Sequence, residues 1–170
     1  GKLQAIGHPD TEESDCIATT CRTVLQHVSL GLLLRHAAVI QERIGLDRLT
    51  IEINEERIQL AQTRPDKLWR KLNSLCLAFE DADEVLDQEH DRADRLAEAL
   101  APHGGLYGDD VLALLHEDSC EFETWRELYA VKLAGIWKLT AAIPLIAEIL
   151  GRAEIWLAEE CIQALVKMRM

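Results

Sequence analysis

Four acidic residues stand at a spacing that could hold a divalent cation. Glu52 and Glu55 are three residues apart, and Glu80 and Asp83 repeat that step after twenty-four intervening residues. Residues three apart lie on one face of a helix, so two neighbouring helices could bring all four carboxylates together. Mg²⁺ prefers carboxylate oxygens, and a bound Mg²⁺ could orient a triphosphate and activate a water for attack on it. The four residues are therefore a candidate metal site.

The order of these two motifs, ExxE followed by ExxD, resembles that of the all-α nucleoside triphosphate pyrophosphohydrolases, the MazG-like family. The likeness covers about thirty residues. It implies that Glu52, Glu55, Glu80 and Asp83 bind magnesium and that a nucleoside triphosphate is hydrolysed to the monophosphate and pyrophosphate. This activity, with Mg²⁺ as its cofactor, is the alternative functional hypothesis for the chain.

A smaller group of possible metal ligands lies near the middle of the chain. Asp87 and His90 are three residues apart, and Asp83 and Asp94 share their side of a predicted helix. A carboxylate-bridged di-iron centre needs ExxH on each of two helices, and the chain offers a single DxxH. Asp87 and His90 are thus the second choice for a metal. Repulsion along this acidic strip could be offset by a cation, by a basic partner, or by Arg and Lys of a neighbouring helix.

No other chemical motif identifies a catalytic residue. The chain contains no GxGxxG, P-loop or GxSxG sequence, and no serine or cysteine stands beside a histidine. The five cysteines are an odd number without a CxxC pair, which favours reduced thiols and a cytoplasmic location. No signal-peptide pattern and no run of eighteen apolar residues occurs, so no membrane segment is predicted.

A formal net charge of -12 at pH 7 limits the partners that the chain can bind. Binding to nucleic acid depends on Lys and Arg displacing counterions, and the sequence has no basic stripe, so nucleic acid is not expected. An acidic surface fits a soluble cytoplasmic protein, a mimic of nucleic acid that blocks a basic partner, or a holder of cations, and composition does not choose among these. The leading functional hypothesis is a non-enzymatic helical module that binds a protein partner.

The elements that must position these residues are predicted to be helices throughout. Apolar residues recur at steps of three and four across 66–100 without a Gly or Pro, which predicts one unbroken helix with Asp66 as its N-cap. The same periodicity predicts a second long helix over 11–44 and a shorter helix over 47–63. Clustered Pro and Gly predict a loop or hinge at 101–108.

The second half of the chain is more apolar than the first. Residues 122–150 carry apolar side chains on most sides, which predicts a central or interface helix that Pro144 breaks near Thr140. A last helix is expected to continue through Gly151. These elements predict a single all-α domain over 1–170, an antiparallel bundle of about six helices. The surplus of apolar helix surface predicts a homodimer.

Overall fold

Every regular element in the described part of the chain is helical. The computed structural model describes residues 30–32, 35–36, 48–82, 85–116 and 124–169. Its α-helices from residue 48 onward are α1 (Arg48–Ala61), α2 (Pro65–Glu80), α3 (Asp87–Leu100), α4 (Gly104–His116), α5 (Trp125–Ile136), α6 (Ile143–Leu150) and α7 (Ile155–Arg169). Short 3₁₀ helices at Ala101–His103 and Thr140–Ala142 precede α4 and α6. The described residues contain no strand, which confirms the all-α prediction, and none of their helices has the length and hydropathy to cross a lipid bilayer.

Contacts divide the chain into two units, Gly1–Ala61 and Gln62–Met170. The first unit contains α1, which corresponds to the short helix predicted over 47–63. Within the helix predicted over 11–44 the described residues are helical, and the remaining residues of that prediction lie outside the described part of the chain. That the whole chain forms one domain stays a prediction.

The helix predicted to run unbroken over 66–100 is two helices, so that prediction is wrong. α2 ends at Glu80, and α3 begins at Asp87. The carboxylate of Glu89 accepts a hydrogen bond from the backbone N–H of Leu86 at 3.2 Å. This bond satisfies a donor next to the first turn of α3, and it therefore stabilises a new helix start in the middle of the predicted one.

The start of α2 also differs from the prediction. The N-cap position is Arg64 rather than Asp66, and Pro65 lies in the first turn, where its missing N–H costs least. The carboxylate of Asp66 accepts hydrogen bonds from Nε of Arg64 at 3.0 Å and from Nη2 of Arg70 at 2.9 Å. Asp66 thus stabilises the start of α2 through these ion pairs and the helix dipole, not as the cap.

The loop or hinge predicted at 101–108 is wrong, because this segment is helical. A 3₁₀ helix at Ala101–His103 leads directly into α4 at Gly104. Gly104 lies against Trp137, since a Cβ added to Gly104 would be 2.6 Å from Cγ of that ring. The indole Nε1 of Trp137 donates a hydrogen bond to the backbone oxygen of Leu100 at 3.2 Å. These tertiary contacts favour a helix in a segment whose glycines locally favour a turn.

Helix α5 is the centre of the second unit. It packs against α2, α3, α4 and α7. Its buried residues are Glu127, Tyr129, Ala130, Val131, Leu133, Ala134 and Gly135. Gly135 allows the close approach of α7, because an added Cβ would lie 2.7 Å from Cα of Ala164. The prediction that 122–150 contains a central helix is therefore confirmed.

The predicted interruption of 122–150 near Pro144 is also confirmed. α5 ends in a turn in which Lys138 adopts a φ of 51°, a left-handed conformation typical of helix C-termini. Pro144 then lies in the first turn of α6. The helix expected to continue through Gly151 does not do so: Gly151 is the C-cap of α6, and α7 begins at Ile155.

Candidate functional site

Aromatic side chains from four helices meet around His90. This aromatic cluster comprises Phe79 of α2, His90 of α3, Trp125 and Tyr129 of α5, and Trp156 of α7. The ring centroid of His90 lies 5.4 Å from that of Trp125 and 6.5 Å from that of Trp156. Trp125 makes further edge-to-face contacts with Phe79 at 5.1 Å and with Trp156 at 6.0 Å. Such pairs are favourable beyond the area they bury, so the cluster joins the four helices.

The aromatic cluster extends from the core to the surface. Phe79 and Tyr129 are buried, whereas His90 and Trp125 are half-buried. Trp156 is 65% exposed, and the neighbouring Ile155 is 75% exposed. Two large apolar side chains exposed next to each other form a patch, and such patches mark interaction sites more often than a single exposed residue does.

A cavity of about 200 Å³ opens between α5 and α7 beside this patch. Its lining residues are Thr124, Trp125, Leu128, Trp156 and Leu157. The volume is below the roughly 300–1,000 Å³ that is usual for drug-sized ligands and cofactors. The cavity therefore suits one apolar or aromatic side chain better than a nucleotide.

Polar contacts at the start of α5 connect the two helices that line this cavity, α5 and α7. The hydroxyl of Thr124, the N-cap, accepts a hydrogen bond from the backbone N–H of Glu127 at 3.1 Å. Glu127 is buried, and its Oε1 accepts a hydrogen bond from Arg152 in the turn before α7. The Arg152–Glu127 ion pair thus connects the turn before α7 to the first turn of α5. Trp156 lies in the first turn of α7, and Trp125 lies in the first turn of α5.

The acidic side of α3 is partly neutralised within the fold. Oδ1 of Asp94 accepts hydrogen bonds from the hydroxyl of Tyr129 at 3.0 Å and from Nζ of Lys132 at 2.5 Å. Burial, and then the nearby carboxylate of Asp94, raise the pKa of Tyr129, so the phenol stays protonated and donates. For Asp94, the offsetting charge is therefore a lysine of a neighbouring helix, which is one of the three alternatives that the sequence left open.

The other acidic residues of this side remain exposed. Asp87 and Asp91 are both exposed and lie within one turn of His90, whose ring packs in the aromatic cluster. Their exposed carboxylates on α3 would attract a basic group. A metal bound by Asp87 and His90 stays a prediction.

The four carboxylates of the first predicted metal site lie in different parts of the chain. Glu52 and Glu55 belong to α1 of the first unit, and the exposed Glu80 ends α2 of the second unit. Asp83 lies outside the described residues. Within the described ranges, no three His, Cys, Asp or Glu residues form a group that could hold a metal ion. The four-carboxylate site stays a prediction.

Sequence reasoning missed the aromatic cluster because its members are far apart in the chain. Phe79 and Trp125 follow an ordinary helical periodicity, Trp156 stands outside the apolar periodicity of its helix, and no local pattern relates one of the three to another. One signal was a gap at Glu89 and His90, where the periodicity of 66–100 calls for an apolar residue. A histidine there indicates a half-buried polar contact, and the structure shows that its neighbours are aromatic rings.

The arrangement can bind an apolar side chain in the cavity beside Trp125 and Trp156, and exposed carboxylates of α3 lie within one turn of His90 in the same aromatic cluster. Trp156 and Ile155 supply the exposed apolar surface, and Asp87 and Asp91 supply the charge. Comparison of the chain with protein-family models, with curated proteins and with solved structures found no match.

Proposed function

We propose that this protein is an acidic, non-enzymatic helical interaction module that binds a basic segment of a partner protein through the aromatic cluster. The supporting observation is the exposed Trp156 beside a cavity large enough for one side chain. Tryptophans placed against a pocket are among the residues that carry most of the binding energy at protein interfaces. The occupant is an apolar or aromatic side chain flanked by Lys or Arg.

The charge of the surface determines the flanking residues of this partner. Asp87 and Asp91 are exposed near His90, and the whole chain has a formal net charge of -12. Complementary charge accelerates the encounter with a basic segment, and the effect weakens as salt screens it. The phosphates of a nucleic acid would meet the same carboxylates and be repelled.

The cysteines and the remaining exposed apolar residues support proposals for the cellular location and the oligomeric state. We propose a cytoplasmic location, since the two described cysteines, Cys76 and Cys161, are buried and form no disulfide, which suits a reducing compartment. We also propose that it acts as a homodimer. The support for self-association is a set of apolar residues that remain exposed on α7, away from its buried side.

Three short peptides test the interaction proposal. The first carries a single Phe flanked by Lys and Arg, the second replaces the Phe with Ala, and the third replaces the basic residues with Glu. We expect only the first peptide to bind, with micromolar affinity in isothermal titration calorimetry. Its affinity should fall when NaCl is raised from roughly 0.05 M to roughly 0.5 M, because the charges are then screened.

Two protein variants locate the binding site. Trp156→Ala should weaken binding of the first peptide by roughly ten-fold or more, because it removes the main apolar contact. Leu106→Ala is the matched control, since Leu106 on α4 is 66% exposed but lies outside the aromatic cluster, and it should leave the affinity unchanged. Equal binding of all three peptides, or full affinity in Trp156→Ala, would refute the proposal.

A further inference from the structure

The last helix, α7, is apolar on two opposite sides. Its buried residues are Leu157, Cys161, Ala164 and Met168. On the other side, Ile155, Ile162 and Val166 are 75%, 52% and 53% exposed. At about 100° per residue these three residues lie within about 40° of one another, directly opposite the buried side. The water-facing side of a surface helix is normally polar, so this side of α7 has the character of an interface.

Two residues of opposite charge lie on the same side of the helix. Glu159, in the first half of α7, and Arg169, at its end, are both exposed and within about 40° of the centre of this side. The α7 stripe is defined as Glu159, Ile162, Val166 and Arg169, and Ile155, at the start of the same side, belongs to the patch beside Trp156. A second copy of α7 in antiparallel orientation would bring opposite charges together, whereas a parallel copy would bring like charges together.

One antiparallel register matches the apolar and the charged residues at the same time. When a two-fold axis lies level with Ala164, residues equally distant from position 164 face each other. Ile162 and Val166 each stand two residues from 164, and Glu159 and Arg169 each stand five residues from it. Ile162 therefore faces Val166 of the second copy, Glu159 faces Arg169 of the second copy, and the symmetry forms each contact twice.

We propose that the α7 stripe is the interface with a second copy of this chain, in an antiparallel pair centred level with Ala164. The inference rests on the proposed homodimer and names its contacts, and it does not involve the cavity beside Trp156. The stripe is a few helical turns long, and stable interfaces bury roughly 800 Å² per partner. The pair is therefore a weak, concentration-dependent dimer.

Sedimentation equilibrium of the full chain over a concentration series tests this interface. We expect a monomer–dimer equilibrium with a dissociation constant on the order of tens of micromolar, which added NaCl increases. Glu159→Arg should raise that constant roughly ten-fold, because each of the two ion pairs becomes a repulsion. The double variant Glu159→Arg with Arg169→Glu restores opposite charges, and it should recover the wild-type dissociation constant.

The apolar contact has its own variant and matched control. Ile162→Asp should abolish the dimer, whereas Leu106→Asp changes an exposed leucine of α4 and should leave the dimer intact. A wild-type chain that stays monomeric at every concentration overturns both the dimer and this interface. A dimer that neither Glu159→Arg nor Ile162→Asp weakens overturns the interface alone.

Thermal denaturation of the same samples separates the remaining possibilities. A large fall in the Tm of Ile162→Asp, at a concentration where the wild type is monomeric, would show that another part of the same chain covers the stripe, and the proposal would fail. Binding of the basic Phe-containing peptide is measured on the same variants. If the dimer is absent and the peptide still binds, self-association fails while the interaction function stands.

Discussion

Tyr129 donates a hydrogen bond to the carboxylate of Asp94, and this contact connects the central helix α5 to α3. The two oxygens are 3.0 Å apart, and Nζ of Lys132 donates to the same carboxylate oxygen. A buried tyrosine hydroxyl needs such a partner, because leaving it unpaired would cost free energy of folding. The position of α3, and with it the position of His90 in the aromatic cluster, therefore depends on a polar contact as well as on apolar packing.

Replacing this hydroxyl should lower stability without disturbing the ring packing. We expect Tyr129→Phe to reduce the free energy of unfolding by about 1–2 kcal/mol, because a buried hydrogen bond is lost. Urea denaturation followed by circular dichroism measures the change. Tyr107→Phe is the matched control: the Tyr107 ring stacks on Trp69, and the change should stay within about 0.5 kcal/mol. Equal effects of the two variants would argue against a structural role for the Tyr129 hydroxyl.

Two glycines in helices should respond differently to replacement by alanine. Gly135→Ala should destabilise the protein by about 1–3 kcal/mol, since the added Cβ would lie 2.7 Å from Cα of Ala164. Gly105→Ala should be neutral or stabilising by up to about 1 kcal/mol, because nothing lies within 4 Å of its added Cβ and alanine favours a helix. Denaturant titration of both variants tests the prediction. A Gly135→Ala variant as stable as the wild type would contradict the close packing of α5 on α7.

The helical class of the fold could be predicted from the sequence, but the connections between helices could not. Apolar periodicity over 66–100 indicates a helix at almost every position, and it does not show that one helix ends at Glu80 and another begins at Asp87. The signal there is half of a capping box: Glu89 has the right spacing, but Leu86 lacks the side-chain oxygen that makes the motif recognisable. At Gly104 the local preference for a turn is overcome by packing against Trp137, which is distant in sequence.

The candidate site was less predictable than the fold because it too depends on packing between residues that are distant in sequence. His90 and the exposed carboxylate Asp87 could be identified from the sequence because they interrupt or border an apolar periodicity. Trp125 and Trp156 could not, since the contact between them depends on the packing of α5 against α7. That packing depends in turn on Gly135, which by local propensity alone would weaken the helix.

The thiol of Cys76 should be unreactive in the native protein. Burial, and then the charge of Glu80, raise its pKa from 9.0 to about 12. The thiol of Cys76 therefore loses its proton near pH 9 in the unfolded chain and near pH 12 in the folded chain. The contribution of the neutral thiol to the free energy of unfolding is complete below pH 9, and it is lost as the pH rises from 9 toward 12.

Alkylation measures this difference directly. At pH 8 iodoacetamide should modify Cys76 in the native protein at less than roughly one hundredth of the rate seen in urea, because little thiolate forms and the side chain is buried. Peptide mass spectrometry reports the modification of each cysteine. Comparable native and denatured rates at Cys76 would mean that this side chain is accessible, contrary to its position in α2.

The four-carboxylate alternative predicts a response to magnesium. If Glu52, Glu55, Glu80 and Asp83 bind Mg²⁺, millimolar Mg²⁺ should raise the Tm, because a ligand of the folded state stabilises it. A panel of deoxynucleoside triphosphates should then release pyrophosphate. Glu80→Gln should remove both effects, and Glu148→Gln, a change of an exposed glutamate on α6, should remove neither. Absence of both effects in the wild type would exclude this alternative.

The most direct test of the interaction function uses the indole signals of the four tryptophans in a proton–nitrogen correlation spectrum. Adding the basic Phe-containing peptide should shift the signals of Trp125 and Trp156, which line the cavity, and the variants Trp125→Phe and Trp156→Phe assign these two signals. The signals of Trp69 and Trp137, which lie outside the aromatic cluster, should stay in place. No shift at saturating peptide, or shifts confined to Trp69 and Trp137, would contradict the proposed function.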